Sequence, residues 1–112
     1  MTTAVQRTVL VLGQGADEPV QLYPDDIAGS MSLVVIAVGW PLTPAQQSAV
    51  ESARSIARAS HIVFDAMLVG SFDGGLEEIS ARDRVLLGTG RRETRHVQRA
   101  LASRRISARV AR

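Results

Sequence analysis

The sequence predicts an α/β fold: a single three-layer α/β/α sandwich of four to five mostly parallel strands, Rossmann-like or flavodoxin-like in general shape. Two observations predict it. Short apolar runs alternate with stretches of helical periodicity along the 112 residues. Each run is apolar at consecutive positions, as in strands that helices cover on both faces. The length suits one small domain that spans residues 1–112.

Five strands are predicted, and glycine directly follows the first four. The strands are residues 8–12, 33–38, 61–69, 84–87 and 106–110, the last a short edge strand. If the strands are parallel, Gly13, Gly39, Gly70 and Gly88 all lie at the carboxyl edge of the sheet. Open α/β sheets bind ligands at this edge, and glycine allows the backbone to approach a ligand closely.

Residues 44–59 carry the clearest helix pattern. Thr43 suits the N-cap, Pro44 the first helical position and Gln46 the capping box. The apolar stripe of this helix consists of Ala45, Ala49, Val50, Ala53, Ile56 and Ala57. A second helix is predicted over residues 91–105, with Val97, Ala100 and Leu101 facing the core.

Two segments are less clearly defined by the sequence than the rest. Residues 72–82 form either a short helix with Leu76 and Ile79 inward, or a hairpin of residues 76–80 with residues 84–87. Residues 19–24 suit a return strand that pairs with the first strand, followed by a short helical turn from Asp25.

The predicted core draws on both helices and on four strands. Its members are Val9, Leu10, Val11, Val34, Val35, Ile36, Val50, Ile56, Ile62, Phe64, Leu68, Leu86, Val97 and Leu101. Asp65 interrupts the third apolar run, and a carboxylate buried on a sheet needs a cationic partner. Arg54 or Arg58 of the preceding helix is the predicted partner.

The best candidate for a ligand site is the turn from the fourth strand into the second helix. Free N–H groups and the helix dipole favour an anion there, and two arginines at a helix start call for negative charge. The predicted ligand-binding residues are Gly88, Thr89, Gly90, Arg91 and Arg92, with Gly13, Gln14 and Gly15 beside them and Asp17, Trp40, Ser71 and Asp73 along the same edge. A phosphorylated small molecule or nucleotide fits this chemistry. Glu93, Asp83 or a neighbouring subunit could instead neutralise the arginines.

Four arginines form a stripe on the second helix. Arg91, Arg92, Arg95 and Arg99 fall within about 100° of arc, opposite Val97 and Leu101. Such a stripe suits nucleic-acid phosphates or an acidic partner. The single Trp, single Tyr and two Phe offer little stacking surface for bases, and a solvated face is the alternative.

Catalytic and cofactor signals are scarce. The chain contains no cysteine, and its two histidines belong to no recognisable catalytic triad or metal-binding motif. No metal and no cofactor is therefore predicted, and whether the protein is an enzyme is uncertain, with a non-enzyme favoured. The N-terminus resembles no signal peptide and no apolar run could span a bilayer, so a cytoplasmic protein without membrane contact is expected.

Charge is distributed unevenly along the chain. Residues 1–82 hold four arginines against nine acidic residues, whereas residues 83–112 hold nine arginines against two. The acidic part of one subunit could meet the basic part of another. The sequence therefore favours a small non-enzymatic α/β module that acts through homo-oligomerisation or protein partner binding, either regulatory or as part of a larger assembly. The phosphorylated ligand and the nucleic-acid contact are the alternatives.

Overall fold

The computed structural model describes residues 7–16 and 18–111, and it confirms the α/β fold. The five strands form one sheet in the order β3-β2-β1-β4-β5, and all neighbouring strands are parallel. The elements are β1 (Arg7–Leu12), a short 3-10 helix (Pro24–Ile27), β2 (Ser32–Val38), α1 (Pro44–Ala59), β3 (Val63–Val69), α2 (Phe72–Leu76), β4 (Arg84–Gly88), α3 (Arg91–Ala102) and β5 (Ala108–Val110).

Helices cover both faces of the sheet and enclose two separate cores. Val9 and Val11 of β1 pack beneath α2 and α3, whereas Leu10 and Leu12 pack beneath α1 and the 3-10 helix. Because consecutive strand residues point to opposite faces, a strand in the middle of the sheet must be apolar at every position. The uninterrupted apolar runs of β1 and β2 thus produce the three layers.

The start of α1 forms as predicted. The Thr43 hydroxyl accepts from the N–H of Gln46 at 3.1 Å, and Oε1 of Gln46 accepts from the N–H of Thr43 at 2.9 Å. The buried stripe of α1 differs from the predicted one, since it includes Gln46 together with Ala49, Ala53 and Ala57. Helix α3 ends at Ala102 rather than at residue 105.

The structure defines both of the segments that the sequence left unclear. Residues 72–82 begin with helix α2, and both Leu76 and Ile79 are buried. The hairpin alternative is wrong because β4 pairs in parallel with β1 and β5. The return strand over residues 19–24 is also wrong, since β1 is flanked by β2 and β4, whereas the predicted helical turn is the 3-10 helix.

The third strand is shorter and more exposed than predicted. It begins at Val63, because His61 adopts a left-handed conformation (φ 58°) where α1 ends. It lies at the edge of the sheet, so the expectation of burial on both faces is wrong. Leu68, which was expected in the core, is 53% exposed.

The predicted ion pair of Asp65 with Arg54 or Arg58 is wrong. Asp65 pairs in register with Val34, and both belong to the face beneath α2 and α3, whereas Arg54 belongs to α1 on the other face. Arg54 instead binds Glu51 at 2.9 Å and lies 5.5 Å from the centre of the Phe64 ring. The carboxylate of Asp65 is exposed at the sheet edge and needs no cationic partner.

Candidate functional site

The topological switch point lies between the carboxyl ends of β1 and β4. The chain leaves β1 toward β2 on one side and leaves β4 toward β5 on the other, which opens a crevice between the two strand ends. The predicted ligand-binding turns, residues 13–15 and 88–90, meet there. The N–H of Gly13 donates to the carbonyl oxygen of Gly88 at 3.0 Å. Both turns therefore lie at the carboxyl edge of the sheet, as predicted from the sequence.

The carboxylate of Glu93 lies between these two turns. It accepts from the N–H of Gly15 at 3.1 and 3.0 Å through its two oxygens, and from the N–H of Gly90 at 2.8 Å. The position expected to hold an external anion therefore holds a carboxylate of the chain itself. The three-residue spacing of Gly90 and Glu93 indicates helix capping, but nothing local indicates the contact with Gly15, which is 78 residues away.

Asp83 was the second acid considered as a neutraliser of Arg91 and Arg92. It lies at the amino ends of the strands, whereas the two arginines lie at the carboxyl ends, so that alternative is wrong. It precedes β4, whereas Arg91 and Arg92 follow that strand. Its carboxylate binds Arg7 at 2.6 Å and accepts from the N–H of Ser80 at 2.9 Å. The hydrogen bonds that the Arg7 guanidinium donates to the Asp83 carboxylate are the main reason why the pKa of Arg7 is raised.

A cleft of about 600 Å³ opens beside the switch point. One wall is the segment after β1, with Gly15 and Val20, and the other is the turn after β4, with Thr89 and Arg91. Val110 and Ala111 close the side toward β5. The Thr89 hydroxyl is hydrogen-bonded to that of Thr94 at 2.6 Å. Among the described residues that line the cleft, Arg91 supplies the cationic side chain.

The other predicted residues of this edge that the structure describes lie apart from the cleft. The amide of Gln14 donates to the carbonyl oxygen of Pro41 at 3.0 Å and thereby joins the turns after β1 and β2. Ser71 caps α2 by accepting from the N–H of Gly74 at 3.3 Å. Asp73 lies 3.8 Å from His96, Trp40 is exposed, and Asp17 lies outside the described residues.

The arginine stripe of α3 is fully displayed on the surface. Arg91, Arg92, Arg95 and Arg99 are all exposed, and within residues 7–16 and 18–111 none of their side chains makes a hydrogen bond or ion pair. Other arginines are held in place, for example Arg84 by the carbonyl oxygens of Asp26 and Ala28. The stripe thus has the predicted geometry, and its contact with nucleic acid stays a prediction.

The outer edge of β3 is a second candidate site, and sequence reasoning missed it. Val63 is 67% exposed and Leu68 53% exposed, and the outer side of this seven-residue strand is not paired with another described strand. The other outer strand, β5, offers less backbone for pairing with another chain. It has three residues, and its Ala108 carbonyl already accepts from the side-chain amide of Gln98 at 3.1 Å. The one sequence signal for an edge was Asp65 within an apolar run, because charged residues protect exposed edges from uncontrolled pairing.

Backbone groups alternate along β3 between the sheet and the solvent. The N–H of Val63 donates to Met31 at 3.2 Å and the carbonyl of Val69 accepts from Gly39 at 2.9 Å, so the odd-numbered residues face β2. The N–H of Ala66 points outward and donates to the carboxylate of its neighbour Asp65 at 2.9 Å. Phe64, Ala66 and Leu68 therefore present their backbone groups to an incoming strand.

Over the described residues, no helix has the length and apolar character needed to cross a bilayer. The same part of the chain holds no group of three or more His, Cys, Asp or Glu side chains placed to bind a metal ion.

Comparison of the sequence and structure with protein-family models, curated proteins and solved structures finds no match.

Proposed function

We propose that the protein is a self-associating α/β module, and that two copies join through the outer edges of β3. The observation that carries this proposal is the long open edge with exposed apolar side chains, at Val63 and Leu68. An exposed, apolar strand edge is a template for pairing with another chain. The work of such a module is assembly, either with itself alone or as part of a larger complex.

The chemistry of the edge suits a controlled association rather than aggregation. The carboxylate of Asp65 covers the outward N–H of Ala66 and adds a charge in the middle of the strand. An incoming strand must therefore displace this carboxylate before it can pair there. Large exposed side chains flank both ends of the strand, Met31 beside Val63 and Trp40 after β2, and these extend the apolar surface.

Leu68→Arg is expected to weaken self-association at least about tenfold, because it removes apolar burial worth about 1.5–3 kcal/mol and introduces a charge at the junction. Sedimentation velocity over a range of concentrations measures this directly. The wild-type mass should approach twice 12.0 kDa, and the variant should remain at 12.0 kDa over the same range.

Tyr23→Arg is the matched control for this experiment. Tyr23 and Leu68 are both 53% exposed, but Tyr23 lies beside the 3-10 helix, away from β3. The control should associate as the wild type does. A wild type that stays at 12.0 kDa at high concentration, or equal weakening by both substitutions, would refute the proposal.

A second candidate function is the binding of a phosphorylated small molecule or nucleotide, and the cleft beside the switch point favours it. The cleft is large enough for such a ligand and exposes the guanidinium of Arg91. Its other anion-binding groups, the N–H of Gly15 and that of Gly90, are held by Glu93. A ligand phosphate would therefore compete with a carboxylate of the chain for these donors.

The double variant Arg91→Ala plus Arg92→Ala is expected to lose stabilisation by such a ligand. A thermal-shift screen against phosphate, sulfate, nucleotides and dinucleotides measures it, since a ligand at 100 times its dissociation constant stabilises by about 2.7 kcal/mol. Arg95→Ala plus Arg99→Ala is the control, because it removes the same charge from the same helix outside the cleft lining.

The outcomes of this screen separate three cases. Loss of the shift in the first pair alone places the ligand in the cleft. Equal loss in both pairs, with a short DNA duplex bound in a strongly salt-dependent way, favours the arginine stripe as a nucleic-acid contact. No shift with any compound removes the small-molecule candidate.

A further inference from the structure

We propose that β3 pairs with β3 of a second copy in antiparallel orientation, about a two-fold axis that passes through Ala66, and that the two sheets become one sheet of ten strands. This inference rests on the proposed self-association and specifies its partner strand and register. Identical strands that pair antiparallel use the same surface on both copies, so the assembly closes as a dimer.

Backbone parity restricts the possible registers. Outward-facing residues must lie opposite outward-facing residues in a hydrogen-bonded antiparallel pair, where each residue both donates and accepts. An axis at Ala66 places Phe64 opposite the partner's Leu68 and Ala66 opposite itself. All three outward residues of each copy then have partners, including the N–H of Ala66 that Asp65 covers in the free subunit.

Other axis positions fit less well. An axis at Asp65 places two carboxylates directly opposite each other, which destabilises a strand pair. An axis at Met67 leaves Val63 and Phe64 beyond the end of the partner strand. The axis at Ala66 alone pairs the full strand, from Val63 to Val69, with itself.

The side chains of β3 are complementary about Ala66. On the face beneath α1, the aromatic ring of Phe64 meets the partner's Leu68, which is exposed in the free subunit. On the face beneath α2 and α3, the exposed Val63 meets the partner's Val69. Asp65 lies opposite the partner's Met67, so the two carboxylates flank the axis diagonally rather than face each other. The pairing therefore covers the exposed apolar side chains that mark this edge.

Pairing between β3 and the far edge of another copy fits the structure poorly. Strand β5 has three residues against seven in β3, and Arg109 of β5 is held by Asp26 at 2.9 Å. Such head-to-tail contacts would also leave a free edge at each end and build an open chain. In the antiparallel dimer the switch-point cleft stays accessible, because β2 and β1 separate it from β3.

The absence of cysteine allows the axis to be mapped with single thiols. Ala66→Cys places two thiols across the axis, where paired Cα atoms lie about 5.5 Å apart, within the range that a disulfide can span. Leu68→Cys is the matched control: the position is exposed on the same face, but the two introduced thiols would lie four residues apart along the strands, or about 14 Å. Under mild oxidation Ala66→Cys should form covalent dimer at least about tenfold faster, because apposed thiols have a high effective concentration.

A mixture of two variants provides a check that does not depend on Ala66→Cys. Phe64→Cys mixed with Leu68→Cys should give crosslinks between unlike chains, while neither variant alone links at that rate. Crosslinking between Ala66→Cys and Leu68→Cys in a mixture, with neither linking alone, would move the axis to Met67 and overturn the proposed register. Sedimentation of the reduced proteins separates the two proposals: a dimer without these crosslinks refutes the register alone, whereas a monomer refutes self-association itself.

Discussion

Gln46→Leu is expected to lower the free energy of unfolding by about 3 kcal/mol, because it removes three hydrogen bonds between a buried side chain and the backbone. Gln46 is 2% exposed, and its side-chain nitrogen donates to the carbonyl oxygens of Leu12 and Val38 at 3.1 and 2.9 Å. Its side-chain oxygen accepts from the N–H of Thr43. Leucine fills a similar volume but can satisfy none of these three groups.

The location of these contacts makes the substitution severe. Leu12 and Val38 are the last residues of β1 and β2. The side-chain amide of Gln46 therefore connects helix α1 to the ends of two neighbouring strands by hydrogen bonds. Water can reach a surface carbonyl and replace a lost donor, but Gln46 is buried between the helix and the sheet, where water does not readily replace the lost side-chain amide.

Urea unfolding followed by circular dichroism measures this change, with the midpoint expected to fall at an unchanged slope. Gln47→Leu is the control, because Gln47 is the next residue of α1 and is exposed. That substitution should change stability by less than about 0.5 kcal/mol. Equal losses in the two variants would show that the strand-end hydrogen bonds of Gln46 contribute little.

Gln46 also shows how far the sequence alone can predict a structure. Its capping role follows from three-residue spacing, which is a local property, and the structure confirms it. Its contacts with Leu12 and Val38 depend on where α1 crosses the sheet, and no pattern in the sequence of α1 encodes that position. Local rules therefore predicted the start of the helix correctly and missed the residue that connects it to the strands.

The same limit explains the errors at the third strand. An apolar run indicates a strand, but it does not give the position of that strand in the sheet. The order β3-β2-β1-β4-β5 places this run at an edge, and Leu68 is exposed as a consequence. Asp65 was interpreted as a buried charge in need of a partner, whereas at an edge the same residue is solvated and covers an outward N–H group.

The carboxyl edge was predicted more completely, because parallel strands that end in glycine bring those ends to one edge, whereas the position of the switch point depends on the strand order. What could not be predicted was the long-range contact of Glu93 with Gly15. At Gly90 the close approach is to the backbone of Gly15 rather than to a ligand, so glycine supplies space at this turn. Its φ of −72° and ψ of 170° are accessible to any residue.

Gly90→Ala is accordingly expected to lower the free energy of unfolding by about 2–3 kcal/mol through overpacking alone. A Cβ atom at this position would lie 2.6 Å from the carbonyl oxygen of Gly15 and 2.9 Å from its carbonyl carbon. Both atoms belong to the backbone, so no side chain can rotate away. The two turns must separate, and the hydrogen bonds that Glu93 makes to both of them would lengthen or break.

Gly70→Ala is the control that isolates this steric cost. Gly70 also follows a strand at the carboxyl edge, but no atom lies within 4 Å of a Cβ placed there, and its φ is not in the left-handed region. Alanine at this position should be neutral or should stabilise by up to about 1 kcal/mol, because it restricts the unfolded chain. Thermal and urea unfolding of the two variants at equal protein concentration therefore test why glycine stands at these turns. If Gly90→Ala proves as stable as Gly70→Ala, the two turns can separate at little cost, and close packing is not the reason why glycine stands at position 90.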